Sequence, residues 1–215
     1  MIKILQVSNL DNFVESRRQK TSQKDRKIVQ SILDDVRKNG DSAVKKYEQK
    51  FNGKKTTQLR LNKQEITQAK ISIEEFNALK LSAVKLSKQQ RNLKKNLVQS
   101  VKKIPNVSFV PVPTVGCYIP GGQARYPSSA IMSVITAAEA GVEKIIVVSP
   151  PDSNGKIDPM TITVAQNCGA EIYKMGGAQA IAALAYGTKS LPKVCLLYTS
   201  PSPRDLSTSR MPSSA

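Results

Sequence analysis

Glu171-Ile172-Tyr173-Lys174-Met175, then Gly176-Gly177, then Ala178-Gln179-Ala180-Ile181-Ala182-Ala183-Leu184-Ala185-Tyr186: a short strand-like run, a glycine pair and an Ala-rich helix follow one another without a spacer. Glycine at such a junction lets the backbone come close to a ligand, and the helix N-terminus points at it. Gln179 stands in the first turn, where a solvated helix would more often carry Asp or Glu. The same residues also fit a strand-to-helix turn packed tightly against a sheet, since one glycine-rich turn is weak evidence of a ligand.

Upstream of this junction the same alternation repeats. The spacing predicts a helix over 128–140, a buried strand over 144–149, a helix over 158–168, a strand over 171–175 and a helix over 178–186. Lys144-Ile145-Ile146-Val147-Val148-Ser149 is nearly all apolar, as expected of a strand covered on both faces. Strand–helix alternation of this length implies an α/β fold with a parallel sheet, in which ligands bind at the carboxyl ends of strands. Val107 to Val112 and Val115 to Ile119 read as two further strands around a turn at Pro113-Thr114. A second glycine junction, Tyr118-Ile119-Pro120-Gly121-Gly122, closes the latter.

Residues 1–104 read as a helical leading region. Ile28, Val29, Ile32, Leu33 and Val36 share one face of a helix over 23–39, ended by Gly40. Asp41 is a candidate N-cap for a helix to about Phe51, and Asn62 for a short helix through Ala69. Ser72-Ile73-Glu74-Glu75 is a capping box that predicts a long helix to about Val98, with Phe76, Leu79, Val84 and Leu86 on its apolar side. Residues 105–194 form the α/β part. Residues 195–215 hold six Ser and three Pro, have no helical or strand period, and read as a disordered tail.

The totals narrow the class. Of 215 residues, 40% are hydrophobic and 23% charged, which fits a soluble globular protein. No apolar run approaches the roughly 20 residues that span a bilayer, and Met1 to Val7 does not open a secretory signal. Cys117, Cys168 and Cys195 are odd in number and dispersed, which points to a reducing cytoplasm. The net charge is +17, and 25 of the 33 basic residues lie in residues 1–103. They are mostly lysines spread around helices, which reads as a solvated basic surface that binds nucleic acid only nonspecifically. A polyanion-binding helical module stays open as an alternative.

Three segments together resemble histidinol dehydrogenase, the zinc- and NAD-dependent enzyme that ends histidine biosynthesis. They are Val115-Gly116-Cys117-Tyr118-Ile119-Pro120-Gly121-Gly122 with Tyr126-Pro127-Ser128-Ser129 and Met132, then Ala140-Gly141-Val142 with Ser149-Pro150-Pro151, then Gly176 to Thr188 with Pro192-Lys193-Val194. The likeness covers about 105–194, and the leading helices resemble the family's variable first segment. Thr136 and Glu139 depart from its usual residues. The resemblance implies an incomplete Rossmann-like parallel sheet after the helical region, and a cytoplasmic homodimer oxidising L-histidinol through histidinal to L-histidine. It also implies that Tyr118 and Gln179 contact NAD, with Gly121, Gly122, Gly176 and Gly177 letting the backbone approach. Taken alone, Tyr118 also fits a half-buried strand aromatic, and the glycines do not make the G-x-G-x-x-G fingerprint.

The family's zinc ligands and its Glu–His pair have no counterparts in this sequence, which contains no histidine. The likeness is expected to stop near Val194. Cys195 to Ala215 resembles a read-through tail, so the chain reads as a truncated piece, inactive alone. No catalytic or metal-binding residue is assigned within it. Another NAD-dependent aldehyde or alcohol dehydrogenase is the alternative enzyme class.

Overall fold

The computed structural model describes residues 23–53, 58–121 and 124–199. Two helices lead, α1 (Gln23–Asn39) and α2 (Asp41–Asn52). On α1 the expected face buries Ile32 and Val36, while Ile28 and Val29 stay half exposed. Gly40, at φ 53°, takes the cap position expected of Asp41. A left-handed residue is what two helices in such close succession need. Asp41 falls in the first turn and accepts a hydrogen bond from Ser190 Oγ at 2.6 Å.

Asn62 caps α3 (Lys63–Gln68) as expected, with Glu65 completing a capping box, and the expected box of Ser72 and Glu75 caps α4 (Ile73–Val101), a helix of 29 residues. Leu79 is buried, whereas Phe76 and Val84 lie exposed on α4. No helix among the described residues is long and apolar enough to cross a membrane.

The sheet contains β1 (Thr114–Tyr118), β2 (Lys144–Ser149), β3 (Glu171–Lys174) and β4 (Leu196–Thr199). All pairings are parallel, in the order β3-β2-β1-β4. Between β1 and β2 run α5 (Pro127–Ala130), a π-helical segment (Ile131–Ile135) and α6 (Thr136–Ala140). Then α7 (Pro159–Asn167) leads to β3, and α8 (Gly177–Tyr186) leads towards β4.

Side chains alternate along each strand and supply two cores. Val115, Cys117, Ile145, Val147 and Ile172 enter one, with Leu79 of α4 and the helical residues Val134 and Ile162. Ile146, Val148, Tyr173 and Met175 enter the other, with Val36 of α1, Val44 of α2 and Leu184 of α8. Each fully buried Val or Ile contributes about 1.5–3 kcal/mol. The covering of both faces explains why β2 is apolar throughout. The free side of β3 is also covered: Leu61 N donates to Ile172 O at 2.8 Å, and Lys174 N to Leu59 O at 2.7 Å.

The strand order is the first half of a doubly wound sheet, an incomplete Rossmann-like α/β fold. The chain steps from β1 to β2 to β3, then crosses back to place β4 on the other side of β1. That reversal is the switch point of the sheet, at the carboxyl ends of β1 and β4, where Tyr118 pairs in register with Thr199 and where sheets of this kind bind ligands.

Two expectations are corrected. Residues 107–112 form no strand, and Val107 and Val110 are exposed. Pro111 and Pro113 lack the amides a ladder needs, and β1 already has a strand on each side. Conversely, the segment read as an unstructured tail from 195 contributes β4 at 196–199. Just before it Val194 N donates to Leu184 O, and pairing alongside β1 starts with Cys195 N on Thr114 O at 2.9 Å.

Candidate functional site

Because the strands are parallel, β1, β2 and β3 end on the same side of the sheet. Pairing continues one residue past each end: Ile119 N donates to Val148 O at 2.9 Å, and Met175 N to Ser149 O at 3.1 Å. This draws the turns after β1 and β3 against Ser149-Pro150. A Cβ on Gly121 would lie 2.8 Å from Ser149 Oγ and 3.0 Å from the Pro150 carbonyl oxygen. One on Gly176 would lie 2.5 Å from Pro150 Cβ. Both positions therefore require glycine for the turns to meet, whatever binds outside them. Gly177 is different. It is exposed, with φ +60°, and opens α8. Gly122 lies outside the described residues.

The structure brings the two expected nucleotide-contacting regions together. The Tyr118 hydroxyl accepts a hydrogen bond from Gly177 N at 3.1 Å, linking β1 to the first residue of α8. Tyr118 is half buried at the switch point, so its ring is both held and accessible.

Gln179 is placed less openly than the sequence suggested. It is 1% exposed, its Nε2 donates to Glu48 Oε1 at 2.8 Å, and its Oε1 is buried without a hydrogen-bond partner. Oε1 lies 3.0 Å from where a Cβ on Gly177 would be, directly behind the exposed glycine. An orphaned acceptor so close to a bare backbone position is the kind of atom a donor on a ligand could satisfy after a small shift of the turn.

Glu48 is the residue that sequence reasoning missed. It sits on α2 with 0% exposure. Oε1 accepts from Gly176 N and from Gln179 Nε2, both at 2.8 Å, and Oε2 accepts from Asn52 Nδ2 at 2.5 Å. Burial pushes its carboxyl above the ordinary glutamate range, and these three donors oppose the shift. The available signal was an acid on the apolar face of α2, four residues after Val44 and next to Tyr47.

A cavity of about 770 Å³ opens elsewhere along the same end of the sheet, lined by Arg125, Lys174 and Asp152 among others. Tyr118, Gln179, Gly121, Gly176 and Gly177 do not line it. Its charges are internally matched: Arg125 pairs with Glu75 and with Asp158 at 2.7 Å each, and Lys174 pairs with Glu65. Burial lifts the Cys117 thiol to about 11 and pushes Cys168 upward as well, which disfavours a thiolate at either; Cys195 is exposed but sits beside Thr114 at the start of β1, at the other end of the sheet from the glycine turns. Among the described residues no cluster of three His, Cys, Asp or Glu side chains could hold a metal ion.

Comparison with known proteins bears on this arrangement. Residues 15–199 match the family model described as histidinol dehydrogenase. The match runs five residues beyond Val194 and takes in β4, so the likeness extends past the expected limit. The chain is 44% identical over 172 residues to histidinol dehydrogenase of Dehalococcoides mccartyi strain CBDB1, covering 78% of this chain and 39% of that protein. It is 40% identical over 172 residues to histidinol dehydrogenase of Bacillus anthracis, covering 77% of this chain and 40% of that protein. The crystal structure of histidinol dehydrogenase from Elizabethkingia anophelis superposes with a TM-score of 0.71 at 26% identity, over 94% of this chain and 45% of that one. The chain thus spans about two-fifths of the length of the relatives it matches. With the parallel sheet, the paired glycine turns and these likenesses in agreement, the chain belongs to the histidinol dehydrogenase family.

Proposed function

We propose that this chain carries part of the NAD site of a zinc- and NAD-dependent dehydrogenase that oxidises L-histidinol through histidinal to L-histidine, working as a cytoplasmic homodimer. The observation that carries the reading is the Tyr118–Gly177 hydrogen bond at the switch point of a Rossmann-like sheet, in a chain of this family. The residues present fit a dinucleotide. Tyr118 offers an aromatic face, Gly177 a bare backbone at a helix N-terminus, and Gln179 a buried acceptor still lacking a donor.

When bound, NAD supplies the acceptor for the hydride. The chain's own residues bind and orient. Tyr118 packs beside the nucleotide while its hydroxyl stays tied to Gly177. Gly177 leaves a bare backbone position for the nucleotide to approach, Gly121 and Gly176 let the two turns close on Pro150 beside it, and Gln179 offers its oxygen to a ribose hydroxyl or amide N–H. The residues do not fit zinc: the sequence has no histidine, and no three-ligand cluster exists among the described residues. No catalytic step is therefore assigned to this chain.

Titrating the 215-residue chain with NAD in a calorimeter tests the reading. Saturable heat in the wild type, lost in Tyr118→Ala, supports it. A wild type that gives none, or a Tyr118→Ala that binds equally well, overturns it. The polyanion alternative has no comparable support, because the family match takes in the lysine-rich helices along with the sheet.

A further inference from the structure

We infer that Glu48 is a positioning residue for the nucleotide site: its carboxylate is the internal anion of the Gly176–Gly177 turn and fixes which atom of Gln179 is left for a ligand. The inference rests on the reading that Tyr118, Gly177 and Gln179 form part of the NAD site.

The start of a glycine-opened helix is ordinarily a place for an external anion, because backbone amides and the helix dipole both favour negative charge there. Here the chain supplies the anion itself. Glu48 reaches across 128 positions of sequence to accept from Gly176 N at 2.8 Å. Gly177 N is likewise engaged, by the Tyr118 hydroxyl. The other groups facing the carboxyl are the uncharged amides of Gln179 and Asn52, and no charged group of α1, α2 or α8 adds a Coulombic pull. A carboxylate accepts only, so it fixes the Gln179 amide with Nε2 inward and leaves Oε1 as the free atom. Two consequences follow. A phosphate is disfavoured at this turn, since a second anion would stand beside a buried first one. The uncharged donors of the dinucleotide, a ribose hydroxyl or a carboxamide N–H, are what Gln179 can meet.

The test uses the 15N-labelled chain and two variants, Glu48→Gln and Glu48→Ala. In the wild type the Gly176 amide and the Gln179 side-chain amide should titrate together, with a midpoint above the roughly pH 4.3 of an ordinary glutamate. That joint titration should vanish in Glu48→Gln. Signals that titrate separately, or that still titrate in Glu48→Gln, overturn the inference, and so does a wild type in which neither moves. This readout needs no ligand, and its wild-type arm needs no variant to fold. Adding NAD then separates the two readings. No response in the wild type defeats the nucleotide site and the positioning role with it, while leaving the anchor visible in the titration. A wild-type response weakened about tenfold in Glu48→Gln, the loss of roughly one charge-assisted hydrogen bond, supports the positioning role. Equal NAD affinity in the wild type and Glu48→Gln overturns it. Inorganic phosphate should leave the Gly176 and Gly177 signals of the wild type unmoved; a saturable shift would show that the turn accepts an external anion and would overturn the proposal.

Discussion

Single atoms decide how the two glycine turns behave. Gly176→Ala puts a methyl carbon 2.5 Å from Pro150 Cβ and 3.2 Å from Pro150 Cα, atoms of a ring and a backbone that cannot swing aside. A loss of about 1–3 kcal/mol is expected, read as a lower urea midpoint. Gly116→Ala also meets close neighbours, but the nearest at 2.8 Å is a Leu184 methyl at the end of a flexible chain, so its loss should be smaller. Glu48 governs a different response. Its carboxyl is raised above the ordinary glutamate range by burial. The folded chain therefore holds this proton more tightly than the unfolded one. The resulting contribution is fully present below the normal glutamate value and is lost as pH rises through the folded value. Stability followed by urea titration should decline across that window in the wild type and decline less in Glu48→Gln. An unchanged slope in the variant would remove Glu48 as its source.

Elements were legible in the sequence where local chemistry forms them. Asn62, and Ser72 with Glu75, announced two helix starts that the structure reproduces. The apolar run of β2 announced a strand covered on both faces, and the Gly176-Gly177 pair announced α8. What stayed hidden depends on partners distant in sequence. Residues 107–112 have strand-like composition but find β1 already paired on both sides, and Leu196-Leu197-Tyr198-Thr199 has tail-like surroundings but finds β1's free side. The π-helical turn at Ile131–Ile135 gave no periodic warning, since one wide turn hardly disturbs an apolar pattern. Glu48 was hidden for the same reason, because its meaning comes from a turn 128 residues away. Among the helices, α4 depends most visibly on its cap. Ser72 Oγ accepts from Glu75 N at 3.1 Å, and Glu75 also pairs with Arg125 at 2.7 Å. Ser72→Ala should cost about 1 kcal/mol. Glu75→Ala removes both the reciprocal cap and the Arg125 contact, so its urea midpoint should fall further. Equal midpoints for the two variants would show that the exposed Arg125 pair adds nothing.

At the scale of the whole molecule, the leading helices and the sheet are built around the same two cores, so the basic helices are part of the frame that holds the glycine turns. Their charge should act only at long range. Retention on nucleic acid is expected to fall steeply as salt rises, leaving no binding at physiological ionic strength; retention there would favour a dedicated polyanion site. The chemistry expected of this chain alone is more restricted. Oxidising an amino alcohol to an acid needs groups that take up protons and activate water, and the zinc-dependent route proposed above would need a metal held by convergent ligands. The sequence has no imidazole, and among the described residues no three candidate ligands come together. Cys117 is buried with its thiol lifted to about 11, and the exposed Cys195 lies at the start of β1, away from the glycine turns, so neither offers a thiolate at the site. Glu48 is buried behind the turn, already accepting three hydrogen bonds, and so cannot serve a substrate on the open side. The two halves of the expectation therefore separate experimentally: the chain should bind NAD through Tyr118 and Gly177, yet form no NADH when histidinol and zinc are supplied. NADH accumulation above a blank without histidinol, abolished by a zinc chelator, would show that a metal centre exists among these residues after all.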